Sequence, residues 1–220
     1  MRSAKAGSGD LTTRARIRDT AIRCVAADGV DVSLRAIASE CGVSASLIVH
    51  HFGSRAGLRA HCDRYVLDGI RERKTATLDP GAGAEALLEQ SAHIERYAPF
   101  VGYVLRSLQA GGASATDFLD HLVDDTYDYL EKAVRAGTVR PSRAPADRAR
   151  ALVEFSVGAL LLQLPGPDEH LDLDTLPAWL RAYTERLMLP MLELYTEPLL
   201  TDSSLLDAYL SVREASATRP

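Results

Sequence analysis

The chain has 220 residues, room for a small domain joined to a larger one, and its 46% apolar residues can supply a sizeable core. Its net charge of −5 hides an asymmetry: residues 1–75 hold 13 Lys and Arg against 8 Asp and Glu, while residues 76–220 hold 12 against 22. A basic head on an acidic body suits a protein that offers one end to a polyanion. No run of about 18 apolar residues occurs, so no helical membrane span is expected. The opening MRSAKAGSGD lacks the hydrophobic stretch of a secretory signal. Cys24, Cys41 and Cys62 are odd in number and show no CxxC pairing, which reads as reduced thiols in a cytoplasmic protein.

Helical periodicity runs along almost the whole chain, with no alternating strand pattern, so the fold class is all-α. Residues 1–10 are small and polar and read as a flexible tail. A first helix starts near Thr13, with Ile17, Ala21, Cys24 and Val25 on one face, and stops at Asp28-Gly29. Helices are predicted at 33–41 and 44–52, then from Ser54 to about Lys74 with Leu58, Cys62, Tyr65, Val66, Gly69 and Ile70 on one stripe. Asp79-Pro80-Gly81 marks a break. Beyond it helices fall near 83–98, 100–110, 115–136, 145–164, 176–196 and 203–215, with Pro190 expected to kink or divide the fifth of these.

The most informative stretch is VSLRAIASECGVSASLIVHHFGS, residues 32–54. Ser33 stands where an N-cap belongs, with Val32 and Ile37 spaced as a hydrophobic staple. Eleven residues later Ser44, Val43 and Ile48 repeat the arrangement. Two starts so close together require two short helices and a tight corner, and Gly42 can take the left-handed backbone there. Ile37, Val43 and Ile48 form the core wedge, and Ala38 lets the helices cross closely. This is a helix-turn-helix, whose second helix enters the DNA major groove. With Ile48 facing inward, Ala45, Ser46, Leu47, Val49 and His50 face outward or sideways, where Leu47 and Val49 would be poorly placed on a plain solvated corner. The amides following Ser33 and Ser44 are candidate phosphate anchors.

Residues 13–60 resemble the DNA-binding domain of the TetR family of regulators. The resemblance rests on Ala27-Asp28-Gly29-Val30, Ile37-Ala38, Gly42-Val43-Ser44, His50-His51-Phe52 and Ser54-Arg55-Ala56-Gly57-Leu58. It implies base reading by Ala45, Ser46 and Leu47, a base or phosphate contact by Arg35, and a backbone contact by Arg55. Val49 departs from the tyrosine usual in the family, and His50 is the neighbour that partly replaces it. The resemblance divides the chain into a tail (1–10), a helix-turn-helix domain (11–54) and a helical effector-binding and dimerisation domain (55–220).

On the helix at 176–196, Leu176, Leu180, Tyr183, Leu187 and Met191 form one apolar stripe and other apolar residues fall off it, so one face can serve a partner. Small residues on the preceding helix permit close approach. Leu152, Ser156 and Ala159 join the expected homodimer interface. Aromatic and polar side chains scattered over the larger domain, His93, Tyr97, Phe100, Tyr103, Phe118, Tyr127, Phe155 and Gln163, are the candidates for an effector pocket. No catalytic or metal-binding constellation is expected: Gly81-Ala82-Gly83-Ala84-Glu85-Ala86 echoes a dinucleotide fingerprint but follows Asp-Pro rather than a strand. No cofactor is implied. The reading is a regulator, a repressor released from a double-stranded operator by a small-molecule effector. The alternative is a helical ligand-binding or scaffold protein whose helix-turn-helix no longer binds DNA specifically.

Overall fold

The computed structural model describes residues 3–163, 166, 169–197 and 199–217. Every regular element among them is helical: α1 (Ser3–Asp28), α2 (Leu34–Cys41), α3 (Ala45–Phe52), α4 (Arg55–Thr77), α5 (Gly83–Ala92), a 3₁₀ turn (Ile94–Tyr97), α6 (Ala98–Gln109), α7 (Gly112–Ala136), α8 (Pro145–Leu161), α9 (Leu176–Thr196) and α10 (Ser204–Ala217). The chain forms two compact units, one ending at Leu180 and the other starting at Arg181.

α1 begins at Ser3, ten residues before the predicted start near Thr13. The weak helix formers Gly7, Ser8 and Gly9 read as tail in the sequence, yet the helix carries through them. Met1 and Arg2 of the expected tail lie outside the described residues. α1 buries Ile17, Ala21, Ile22 and Val25, and its main packing partner is α6. α6 is buried from Gly102 to Ser107 on every side, the mark of a helix enclosed by others. Gly102 makes the crossing close: a Cβ there would stand 2.9 Å from the Ala26 Cβ of α1.

Asp79 makes the predicted break, its Oδ1 accepting from the amides of Gly81 at 2.8 Å and Ala82 at 3.0 Å. One apolar cluster runs from Ile17 of α1 through Val66 of α4, Phe118 and Leu122 of α7 to Val153 of α8. A smaller cluster joins Ala98, Leu171, Leu176 and Leu180.

The second unit is different in kind. Leu189, Leu194, Tyr195, Leu199, Leu205, Tyr209 and Val212 are all exposed, Leu199 to 81%. α9 continues as one helix through Pro190 rather than dividing there. The proline forfeits one rung of backbone hydrogen bonding, which the remaining turns outweigh.

Candidate DNA-binding site

The α2–α3 corner assembles from its caps. Ser33 Oγ accepts from the Ala36 amide at 3.1 Å, and Ser44 Oγ from the Leu47 amide at 3.2 Å. Each serine thus satisfies one of the amides that a helix start leaves unpaired, worth about 1 kcal/mol. Gly42 sits at φ 68°, ψ 36°. Its amide donates to Ser39 at 3.2 Å and the Val43 amide to Ala38 at 2.9 Å, a complete Schellman turn. Ile37, Ala38, Ile48 and Phe52 are buried, and Val32 and Val43 pack against them, so both staples form.

The corner leaves α3 with one outward face. Ser46, Val49 (43% exposed) and His50 are exposed, whereas Ala45 and Leu47 are half-buried beside the core. The Ser44 and Ser46 hydroxyls lie 2.9 Å apart. Serine hydroxyls, a valine and an imidazole at the start and side of a short helix can offer hydrogen bonds and methyl contacts to base edges. Ser33 and Arg35 are exposed at the start of α2. His51 is half-buried, its ring 6.3 Å from that of Phe52, which in turn meets His61 at 5.3 Å. Burial and the guanidinium groups of Arg14, Arg18 and Arg64 hold His61 below its ordinary pKa of 6.5.

Arg55 has a second occupation. Its Nη2 donates to the Val30 carbonyl at 2.8 Å and lies 3.6 Å from Asp31, tying the first turn of α4 to the α1–α2 loop. Ser54 caps α4 through the Gly57 amide at 3.0 Å. A Cβ on Gly57 would fall 2.0 Å from the Phe52 carbonyl oxygen, so the α3–α4 corner depends on glycine there.

The expected effector residues do not share one wall. Tyr103 and Phe118 are buried with their rings 6.4 Å apart, while Tyr127, Phe155 (70% exposed) and Gln163 are exposed. His93, Tyr97 and Phe100 are half-buried, and Arg73 lies over the Tyr97 ring at 4.1 Å. Tyr103 borders a void of about 30 Å³, and Phe100 borders an open groove of about 540 Å³ between α1, α4 and α6. Of the expected interface residues, Leu176 (2%) and Leu180 (3%) are consumed by the smaller cluster of their own chain. They are corrected from interface to core: Ala98 and Leu171 cover the face of α9 that periodicity alone leaves open. Leu152 and Ala159 are half-buried and Ser156 exposed on α8; Tyr183, Leu187 and Met191 are half-buried in the second unit.

Two polar networks went unforeseen. Asp63 of α4 accepts from Arg59 Nε at 2.9 Å and from the Tyr103 hydroxyl at 2.7 Å. Burial and the Asp63 charge push the Tyr103 phenol far above its ordinary range, keeping it a donor. Arg106 of α6 donates through Nη1 to Gln109 Oε1 at 3.0 Å and the Gly166 carbonyl at 2.9 Å, and through Nη2 to the Glu169 carbonyl. Just beyond, the Leu171 amide donates to the Ala27 carbonyl at 3.0 Å, and His170 Nδ1 lies 3.0 Å from Asp28. The end of α1 is thus held by residues far along the chain. The available signal was a lone arginine in the last turn of a largely apolar helix. Burial pushes the Cys62 thiol up to about 12, so it stays protonated and inert. No helix among the described residues is long and apolar enough to cross a membrane.

Residues 17–62 match the family described as bacterial regulatory proteins, tetR family, and residues 95–201 match the tetracyclin repressor-like C-terminal domain. The chain is 45% identical over 207 residues to the HTH-type transcriptional regulatory protein RaaS of Mycobacterium tuberculosis, covering 93% of this chain and 94% of that protein. Among solved structures, a tetR-family transcriptional regulator from Streptomyces coelicolor superposes with a TM-score of 0.52 at 18% identity, over 92% of this chain and 98% of that one. One from Pectobacterium atrosepticum gives 0.48 at 23% identity, over 82% and 94%.

Proposed function

The chain belongs to the TetR family and is a DNA-binding transcriptional regulator; from that premise we propose that it is a cytoplasmic homodimeric repressor, released from a two-fold symmetric operator by a small-molecule effector. The observation that carries the reading is the capped α2–α3 corner, which buries Ile37 and Ile48 and leaves Ser46, Val49 and His50 outward. A symmetric dimer would present two such faces to successive major grooves about 34–36 Å apart. Dimerisation is supported by the apolar side chains left uncovered on α8, on the later turns of α9 and on α10. α10 lies wholly beyond the residues matched to the C-terminal family domain.

The test has two parts. Sedimentation at micromolar concentration should give a dimer; a monomer would end that part of the reading. Duplexes selected from a random pool should share an inverted repeat and bind with a steep loss of affinity as salt rises. The missing tyrosine at Val49 favours one rival, a helix-turn-helix without specific affinity. A pool that never enriches, with only a shallow salt slope, would establish it.

A further inference from the structure

The open groove between α1, α4 and α6 has a definite chemistry. One wall is a stripe of α1, Arg16, Thr20 and Arg23, spaced i, i+4, i+7 and so on one helix face. Thr20, 3% exposed, sets its side chain in the floor. The other wall is Tyr65 of α4 with Pro99 and Phe100 of α6, the two rings meeting edge to face at 5.7 Å. A volume of about 540 Å³ lies inside the range of roughly 300–1,000 Å³ typical of small-molecule sites.

Its electrostatics have one sign. Asp19 also borders the groove, but Arg18 holds its carboxylate at 2.7 Å. The Arg18 guanidinium is further occupied over the Tyr65 ring at 3.4 Å. Arg16 and Arg23, both exposed, are left to set the charge of the groove. The rings and proline supply an apolar bed, and the two guanidinium groups at opposite ends of the stripe supply anion receptors about 10 Å apart along α1.

We propose that this groove is an effector site for amphipathic organic anions, an aromatic or fused-ring body bearing one carboxylate or sulfonate. The body lies against Tyr65, Pro99 and Phe100, and the anionic group reaches Arg16 or Arg23. The groove sits between the helix that leads into the helix-turn-helix and the helix buried at the centre of the fold, which already touch closely at Ala26 and Gly102. A wedge there bears directly on α1. The proposal rests on the reading of the chain as an effector-released regulator, so ligand and DNA must weaken each other by one common factor, about 5–150-fold for typical couplings.

The test uses the full chain and two fluorescent probes sharing one ring system: anilinonaphthalene sulfonate and its neutral parent, phenylnaphthylamine. The sulfonate should saturate the site and bind at least about ten-fold tighter than the neutral probe. Arg16→Gln and Arg23→Gln, changes of exposed side chains that leave the fold intact by circular dichroism, should when combined weaken the sulfonate at least about five-fold and leave the neutral probe unchanged. Equal affinity for both probes, or sulfonate binding indifferent to both substitutions, overturns the site. DNA binding is measured separately by anisotropy of a selected duplex without probe. If the double variant loses duplex affinity while keeping sulfonate affinity, the arginines are DNA contacts and the site is overturned. If the wild-type chain binds no duplex while sulfonate binding still follows the arginines, the site stands and the regulator reading falls.

Discussion

The corner of residues 33–52 and the stretch of residues 189–212 are both rich in apolar side chains, and the fold treats them oppositely. In the corner, Ile37, Ile48 and Phe52 vanish into a core that one chain completes. In the later stretch, Leu189, Leu199, Leu205 and Tyr209 stay open to water. Exposed patches of that kind mark contact surfaces. The helix-turn-helix is thus closed within one chain, while the described residues of that chain leave these later apolar side chains uncovered.

The sharpest way to break the contrast is at the corner. Gly57→Ala drives a methyl into the Phe52 carbonyl, which belongs to backbone and can yield only by moving the end of α3. A loss of about 3 kcal/mol is expected, together with DNA binding, measured by chemical denaturation and duplex titration. Unchanged stability would mean that α3 and α4 do not meet as described.

The second test addresses the open stretch. Leu205→Glu with Tyr209→Glu should leave the helical content unchanged, since both side chains are exposed in the single chain. It should weaken self-association at least about ten-fold by sedimentation, near 1.4 kcal/mol. A double variant that dimerises as well as the wild type would exclude α10 from the interface.

The two arginines refine the picture of the corner. Arg35→Ala should lower DNA affinity and flatten the salt slope by about one unit without touching stability. Arg55→Ala should in addition lose about 1 kcal/mol of stability, because it removes the hydrogen bond to the Val30 carbonyl. Equal stability of the two variants would show that this tie carries no load.

The smallest effect is a pH dependence. His61 is held below its ordinary value, so the unfolded chain binds a proton that the folded chain resists. Its contribution is present above pH 6.5 and fades as pH falls below that value. Melting between about pH 7 and about pH 5.5 should therefore decline less in His61→Gln than in the wild type. Identical declines would assign the acid sensitivity elsewhere.

How much was legible follows from range. Ser33, Gly42 and Ser44 act within a few residues of themselves, so their caps, the Schellman turn and both staples could be read from the sequence. Arg59, Asp63 and Tyr103 form a network only because α4 and α6 meet 40 residues apart, and no local pattern announces it. Leu176 and Leu180 carry the right period for an interface, yet period does not say which neighbour covers the stripe. Arg55 was readable as a cation near DNA but not as a brace, because its acceptor lies 25 residues earlier. The effector candidates were chosen by residue type alone, and type does not distinguish the buried Phe118 from the exposed Phe155.

The bond from the Leu171 amide to the Ala27 carbonyl also has a consequence in time. Ribosomes add roughly 5–20 residues each second, so the chain is about 10–35 s old before residue 171 exists. Until then the last turn of α1 lacks its hydrogen-bonding partner, and the cluster of Ala98, Leu171, Leu176 and Leu180 has no members from beyond α8. The last turn of the helix that leads into the helix-turn-helix is thus among the first segments made and among the last secured. A chain ended before residue 171 would therefore keep α1 packed on α2, α4 and α6 but leave its last turn without this tie.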